Sequence, residues 1–213
     1  TKHHFGLLVD SKLSFRNDRA MQRVLGILIS FGLSVVVWAG ETISEGWLAK
    51  GTKWETPFYA RVSGKDGPTV VITGGIHGNE PAGARAAEQI RHWSITRGRL
   101  VVIPQANIPG LRDGTRFLPG EPPSRRDLNR QFPKTKMAAE AHGVLGKALW
   151  KFIGDQNPDW MIDLHEGYYF HQINSKSVGS SIIDAKGKAA DVAVPKMLAA
   201  VNATIADPKN CLL

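Results

Sequence analysis

The residues best equipped to do chemistry are an imidazole and a carboxylate three positions apart. They stand in the run Gly74-Gly75-Ile76-His77-Gly78-Asn79-Glu80. Three residues at the start of a helix bring two side chains to one point. The paired glycines permit backbone geometries that other residues resist, and they leave room for a ligand to approach. A third ligand from a distant strand would complete a three-point cage with one position open, as a catalytic zinc requires. His165 suits this role, because Asp163-Leu164-His165-Glu166-Gly167 follows an apolar run. His3, His4, His92, His142 and His171 read as structural or solvated.

The surrounding pattern alternates short β-rich runs with helical stretches, the mark of an α/β sheet protein. Residues 68–73 read as a buried strand, Glu80–Trp93 as a helix with Pro81 in its first turn, and Arg99–Pro104 as a second strand. Residues 105–135 are rich in proline and glycine and read as one long irregular, functional segment. Lys136–Ile153 returns to helical spacing, Trp160–Leu164 is a third strand ending at His165, and Ala190–Ala206 is a further amphipathic helix after Pro195. The strands thus deliver their polar residues near C-terminal ends, where open α/β sheets place their sites.

Composition narrows the chemistry. The 213-residue chain carries a formal charge of +8 and a single cysteine, Cys211. No disulfide within the chain and no thiolate metal site is available, so any metal must be held by His and carboxylates. Residues 1–40 hold five basic residues against two acidic ones, which leaves +5 for the remainder. Such an excess, without Lys or Arg runs, marks a solvated basic surface with no nucleic-acid partner.

Met21-Gln22-Arg23, the uncharged stretch Val24–Ala39 and the small residues at its end read as a secretory signal cut after Ala39. The expected product is periplasmic or secreted, with no stable membrane insertion after cleavage. The alternative is an anchor formed by residues 24–39, a run at or below the ~17–25 residues a bilayer requires. Residues 1–20 read as upstream sequence, 21–39 as the signal and 41–213 as the metal-binding part of a hydrolase domain. The chain stops on Cys211-Leu212-Leu213, which reads as the start of a strand, so the domain is expected to run further.

The order of strand, Gly-Gly, His-x-x-Glu, helix, Asn-Arg loop, and strand with Asp-x-His resembles the succinylglutamate desuccinylase/aspartoacylase family. The likeness runs from about Pro68 to His165 and more weakly to Leu213. It implies a zinc carboxypeptidase-like mixed sheet flanked by helices, truncated at the C-terminus. It also implies one Zn2+ ion on His77, Glu80 and His165. By the same resemblance Asn129 and Arg130 hold a substrate carboxylate, Arg116 polarises the scissile carbonyl, and Asp127 fixes the ring of His77. Arginine suits such tasks because its planar fork grips a carboxylate in two places and keeps its charge.

The implied reaction is hydrolysis of an amide in an acyl-amino acid or similar carboxylated small molecule. An exported metallocarboxypeptidase acting on short peptides is the alternative. The family's general base is a glutamate on a later strand, beyond Leu213. Glu166 is the nearest substitute, but neighbours on an extended chain point to opposite faces, so it should face away if His165 faces the metal. A zinc-containing binding protein that lacks the base is therefore the rival of another class.

Overall fold

The computed structural model describes residues 4–9, 36–38, 40–133, 140–184 and 187–213. Most of the expected signal and of the upstream segment lies outside these residues. Among the described residues eight strands form one mixed sheet: β1 (His4–Val9), β2 (Val36–Trp38), β3 (Glu41–Leu48), β4 (Thr56–Val62), β5 (Thr69–Gly74), β6 (Arg99–Ile103), β7 (Trp160–Gly167) and β8 (Ile182–Ile183). Their spatial order is β2-β3-β4-β6-β5-β7-β1-β8. The centre is parallel, with β5 between β6 and β7. Towards one edge β6, β4, β3 and β2 pair antiparallel. Towards the other, β1 runs antiparallel to β7 with Gly6 opposite His165, and β8 joins it in parallel.

Central strands buried on both faces should be apolar in the middle, and Val70–Ile72 of β5 and Leu100–Ile103 of β6 are. Val71, Val101 and Ile103 point to one face. There they pack with Leu128 and with Leu145, Leu149 and Ile153 of helix α3 (Val144–Asp155). Their neighbours Ile72, Leu100 and Val102 point to the other face. There they meet Leu164 and helix α1 (Pro81–Ile90) through Ala87. Helix α4 (Lys188–Asn202) covers the β8 edge, where Ile182 and Leu212 pack with Val194, Met197 and Leu198.

Several boundaries differ from those the sequence suggests. The expected Lys136–Ile153 helix begins only at Val144, because Gly143 sits at φ +65° and the preceding His142 N–H is held by the Gln131 carbonyl. Residues 134–139 lie outside the described ones. The long irregular segment contains a short helix, α2 (Ile108–Asp113), and a 3-10 turn, Leu128–Arg130. The third strand continues through Gly167, so His165 sits within it rather than after it. Helix α4 starts before Pro195 and passes through it. The chain's last residues lie alongside β8: Leu213 donates to the Ser180 carbonyl and accepts from Ile182 N–H.

Helix α1 lies almost against β7, and glycine makes that possible. A Cβ at Gly83 would stand 2.1 Å from the Leu164 carbonyl oxygen, and one at Gly78 only 1.9 Å from the Gly110 carbonyl carbon. Both collisions are with backbone, which has little freedom to yield. We expect Gly83→Ala to destabilise the chain by about 1–3 kcal/mol, the usual cost of overpacking. Urea denaturation followed by circular dichroism would read this directly. Unchanged stability would show that α1 can move off the sheet at little cost.

Candidate metal centre

His77 follows β5 through the Gly74-Gly75 turn, where Gly75 sits at φ +70°. The neighbouring loop locks this turn in place, Ala106 N–H and Asn107 N–H donating to the Gly74 and Gly75 carbonyls. Glu80 is the N-cap residue of α1, yet its carboxylate makes no capping bond to that helix. It is directed instead between two imidazoles. His77 Nδ1 lies 2.8 Å from Oε1, and His165 Nδ1 lies 2.7 Å from Oε2. The two rings stand 4.9 Å apart between centroids, and His77, Glu80 and His165 offer potential ligand atoms within 4.8 Å of one another. His77 and Glu80 are buried, and His165 is partly so.

The outer nitrogens are held as well. His77 Nε2 faces Asp127 Oδ1 at 3.3 Å, and His165 Nε2 faces Asp163 Oδ2 at 2.8 Å. Asp163 is fixed in turn by the Thr73 hydroxyl at 2.5 Å, and Asp127 accepts Asn129 N–H at the start of its 3-10 turn. A carboxylate behind each imidazole is the arrangement that orients metal-ligating histidines. Asp127 thus lies against the ring of His77, the residue that the family resemblance pairs it with. Asp163, which sequence alone leaves as either a partner or a strand end, does for His165 what Asp127 does for His77.

Arg116 reaches the same point, its Nη1 donating to Glu80 Oε1 at 2.7 Å. Its loop is anchored by the buried Asn107, which caps α2 through Gly110 N–H and donates to the Phe117 carbonyl. Asn129 and Arg130 line the same cleft, of about 530 Å3, with His77, Glu80, Arg116 and His165. Their turn is pinned from beneath by buried Gln131, which donates to the Arg125 carbonyl and accepts from Gly146 N–H. Neither residue was singled out from sequence; Asn107 before Ile-Pro follows a helix-start pattern that could have pointed to it, and Gln131 has no such signal.

Residues 168–183 form the cleft's far wall. This loop folds back on β7 because Gly167 and Gly179 meet without side chains: a Cβ at Gly167 would lie 2.0 Å from the Gly179 Cα. Tyr168 accepts a hydrogen bond from Asn79 Nδ2 at 2.7 Å, tying the wall to the residue beside Glu80. His171 is bonded within its own loop to the Ser177 carbonyl and does not line the cleft. Lys176 lines this wall, a basic group the sequence did not single out.

Residues 66–179 match the succinylglutamate desuccinylase/aspartoacylase catalytic domain, more than half of the chain. The chain belongs to this family. Its curated relatives include an N-alpha-acetyl-L-2,4-diaminobutyric acid deacetylase of Halomonas elongata, 34% identical over 32% of this chain and 20% of that protein. A succinylglutamate desuccinylase of Photorhabdus laumondii is 29% identical over 59% of this chain and 40% of that protein. A succinylglutamate desuccinylase/aspartoacylase crystal structure from Rhodobacter sphaeroides aligns over 52% of this chain and 33% of its own, with 27% identity and a TM-score of 0.38. The chain thus matches less than half the length of these relatives.

The charges of the cluster have a consequence for pH. Burial alone would raise the Glu80 pKa, but hydrogen bonds and charge from His165 and His77 overcome it and hold the carboxyl well below its usual range. For His165, burial would lower the pKa, but the charge and hydrogen bond of Asp163, with help from Glu80, raise it from 6.5 to about 10. The depressed Glu80 stabilises the fold at pH above its ordinary 4.5, and this is lost only as pH falls through the folded value. The raised His165 contributes fully below 6.5, and its contribution fades as pH climbs towards 10. In chelator, the stability difference between wild type and His165→Gln is therefore expected to shrink steadily from pH 6.5 to 10. A difference that grows over that range would show that His165 is not held as a buried cation in the metal-free chain.

Proposed function

We propose that this chain carries the zinc site of an amidohydrolase acting on a carboxylated small molecule, an acyl-amino acid in the first instance. The observation that carries this reading is the donor set. Two imidazole nitrogens and one carboxylate converge from β7 and the β5–α1 junction, and each imidazole is backed by a second carboxylate. Nitrogen and oxygen donors with no thiolate fit a borderline divalent ion with an open position, the pattern of catalytic zinc. In the metal-free chain both inward-facing nitrogens lie within hydrogen-bonding distance of Glu80, and His165, whose pKa is raised to about 10, lends it positive charge. A metal would supply that charge instead, with His77 Nδ1, His165 Nδ1 and Glu80 as the groups that hold it.

A bound zinc contributes Lewis acidity, polarising an amide carbonyl and acidifying water. The chain's own residues do the remainder. Asn129 and Arg130, on one turn at the cleft, would grip the substrate carboxylate by a charge-assisted fork. Arg116 places a guanidinium beside Glu80, where it would steady the negative charge that develops on the carbonyl oxygen. Asp127 and Asp163 hold the imidazole orientations and so preserve the inward-facing Nδ1 atoms. Export, read from residues 21–39, is part of the same proposal.

A second reading is favoured by one specific observation. Of the carboxylates lining the cleft among the described residues, Glu80 lies between the imidazoles and Glu166 turns its Oε2 to Ala82 N–H at 2.7 Å. Both are thus engaged by groups of the fold itself. This supports a second proposal, of another class, in which the chain binds zinc and a carboxylated ligand without cleaving it.

Metal analysis of purified protein should find about one zinc per chain, falling below a tenth of that in His77→Ala and His165→Ala. Arg130→Ala should keep its zinc but bind N-acyl-amino acids on the order of ten-fold or more weakly, the loss of a hydrogen-bonded charge contact. Zinc retained by both histidine variants would overturn the site. A panel of acyl-amino acids against short peptides, read by calorimetry, separates the deacylase reading from the carboxypeptidase one.

A further inference from the structure

The carboxylate of Glu80 occupies a position in the chain where carboxylates usually do something else. As the N-cap of α1 it stands where short oxygen-bearing side chains such as Asp fold back to accept the free N–H groups of the helix's first turn, a bond its own carboxylate does not make. Pro81 has no N–H to offer, so the first competing donor is Ala82 N–H at the second helical position. If Glu80 took that bond, it would swing away from His77 and His165. It does not, because Ala82 N–H already donates to Glu166 Oε2 at 2.7 Å, from a residue 84 positions away in sequence.

Glu166 acts on Glu80 in a second way. Its backbone N–H donates to Glu80 Oε2 at 3.3 Å, the same oxygen that faces His165 Nδ1. One residue of β7 therefore supplies both the cap that α1 lacks and a donor that steadies the carboxylate released from capping. The alternation of the strand makes this possible: His165 faces the cluster, and Glu166, buried at 3% exposure, turns to the start of α1. The helix's first turn contains no acidic residue of its own, and Glu166 brings a carboxylate oxygen to its N-terminal end from another strand.

We infer that Glu166 is a positioning residue for metal binding, capping α1 across the fold so that Glu80 stays directed at the two histidines. Its Oε2 is engaged by Ala82 N–H, so it acts on the metal site through Glu80. This inference rests on the zinc reading of the cluster given above, and it adds a residue that the cluster's own geometry does not include.

The test uses the full chain with three variants. Glu166→Gln keeps an acceptor for Ala82 N–H, Glu166→Ala removes it, and Glu166→Met removes it while keeping the buried volume should the alanine variant fail to fold. Zinc affinity is measured by competition with a chromophoric chelator, and cobalt(II) substitution reports the coordination through its visible absorption. We expect Glu166→Met and Glu166→Ala to bind zinc 10- to 100-fold more weakly, the usual penalty for losing a group that orients a ligand. Their cobalt spectra should change as Glu80 leaves. Glu166→Gln should remain within about three-fold of wild type, with its cobalt spectrum intact. A merely structural role would lower the melting temperature of the methionine variant without altering its cobalt spectrum.

Wild-type affinity and an unchanged spectrum in a folded Glu166→Met would overturn the inference while leaving the zinc site standing. So would a glutamine variant as weak as the methionine one. Failure of the wild-type chain to bind zinc or cobalt at all would instead defeat the underlying reading, and this inference with it.

Discussion

Everything at this site depends on the close approach of helix α1 to strand β7. Glu80 begins the helix and His165 lies in the strand, so the distance between their side chains is set by how nearly the two backbones can touch. Gly83 lets them touch: any side chain there would run into the Leu164 carbonyl. With the helix so placed, Glu80 Oε2 reaches His165 Nδ1 at 2.7 Å while Oε1 reaches His77 Nδ1 at 2.8 Å. The bridging carboxylate is therefore a product of sheet packing as much as of local sequence.

Around this contact the fold arranges successive supports. Thr73 holds Asp163, Asp163 holds His165, and Asp127 holds both His77 and the start of its own turn. Asn107 and Gln131, both buried, hold the loops that bring Arg116 and Arg130 to the same cleft. These are groups whose hydrogen bonds would be costly to leave unmade in the interior. The site is thus tied into the core through polar side chains rather than resting on its surface.

How much of this could be read in the sequence follows from how local each feature is. His77 and Glu80 were legible because a strand, two glycines and a helix start lie within a dozen residues and fix their relation. His165 was legible from the largely apolar run before it, and β5 and β6 from their unbroken Val, Leu and Ile runs. Strands β3 and β4 were not singled out, since β3 mixes Glu41, Ser44 and Glu45 with its apolar residues and only weakly alternates. The start of α3 was misplaced because helical spacing continued upstream of Gly143, whose backbone conformation ends that pattern. The capping of α1 by Glu166 and the meeting of Gly167 with Gly179 were invisible for a different reason. Each depends on strand register or on a loop's return path, which neighbouring residues do not encode.

The central claim is that one zinc ion sits among His77, Glu80 and His165. Zinc-edge X-ray absorption on the loaded protein tests it most directly, because it reports the atoms around the ion without requiring turnover. The account predicts two imidazoles and low-Z oxygen or nitrogen neighbours at about 2.0–2.2 Å, with no sulfur. A shell of six or more oxygens without imidazole scattering, or a sulfur neighbour near 2.3 Å from Cys211, would contradict it.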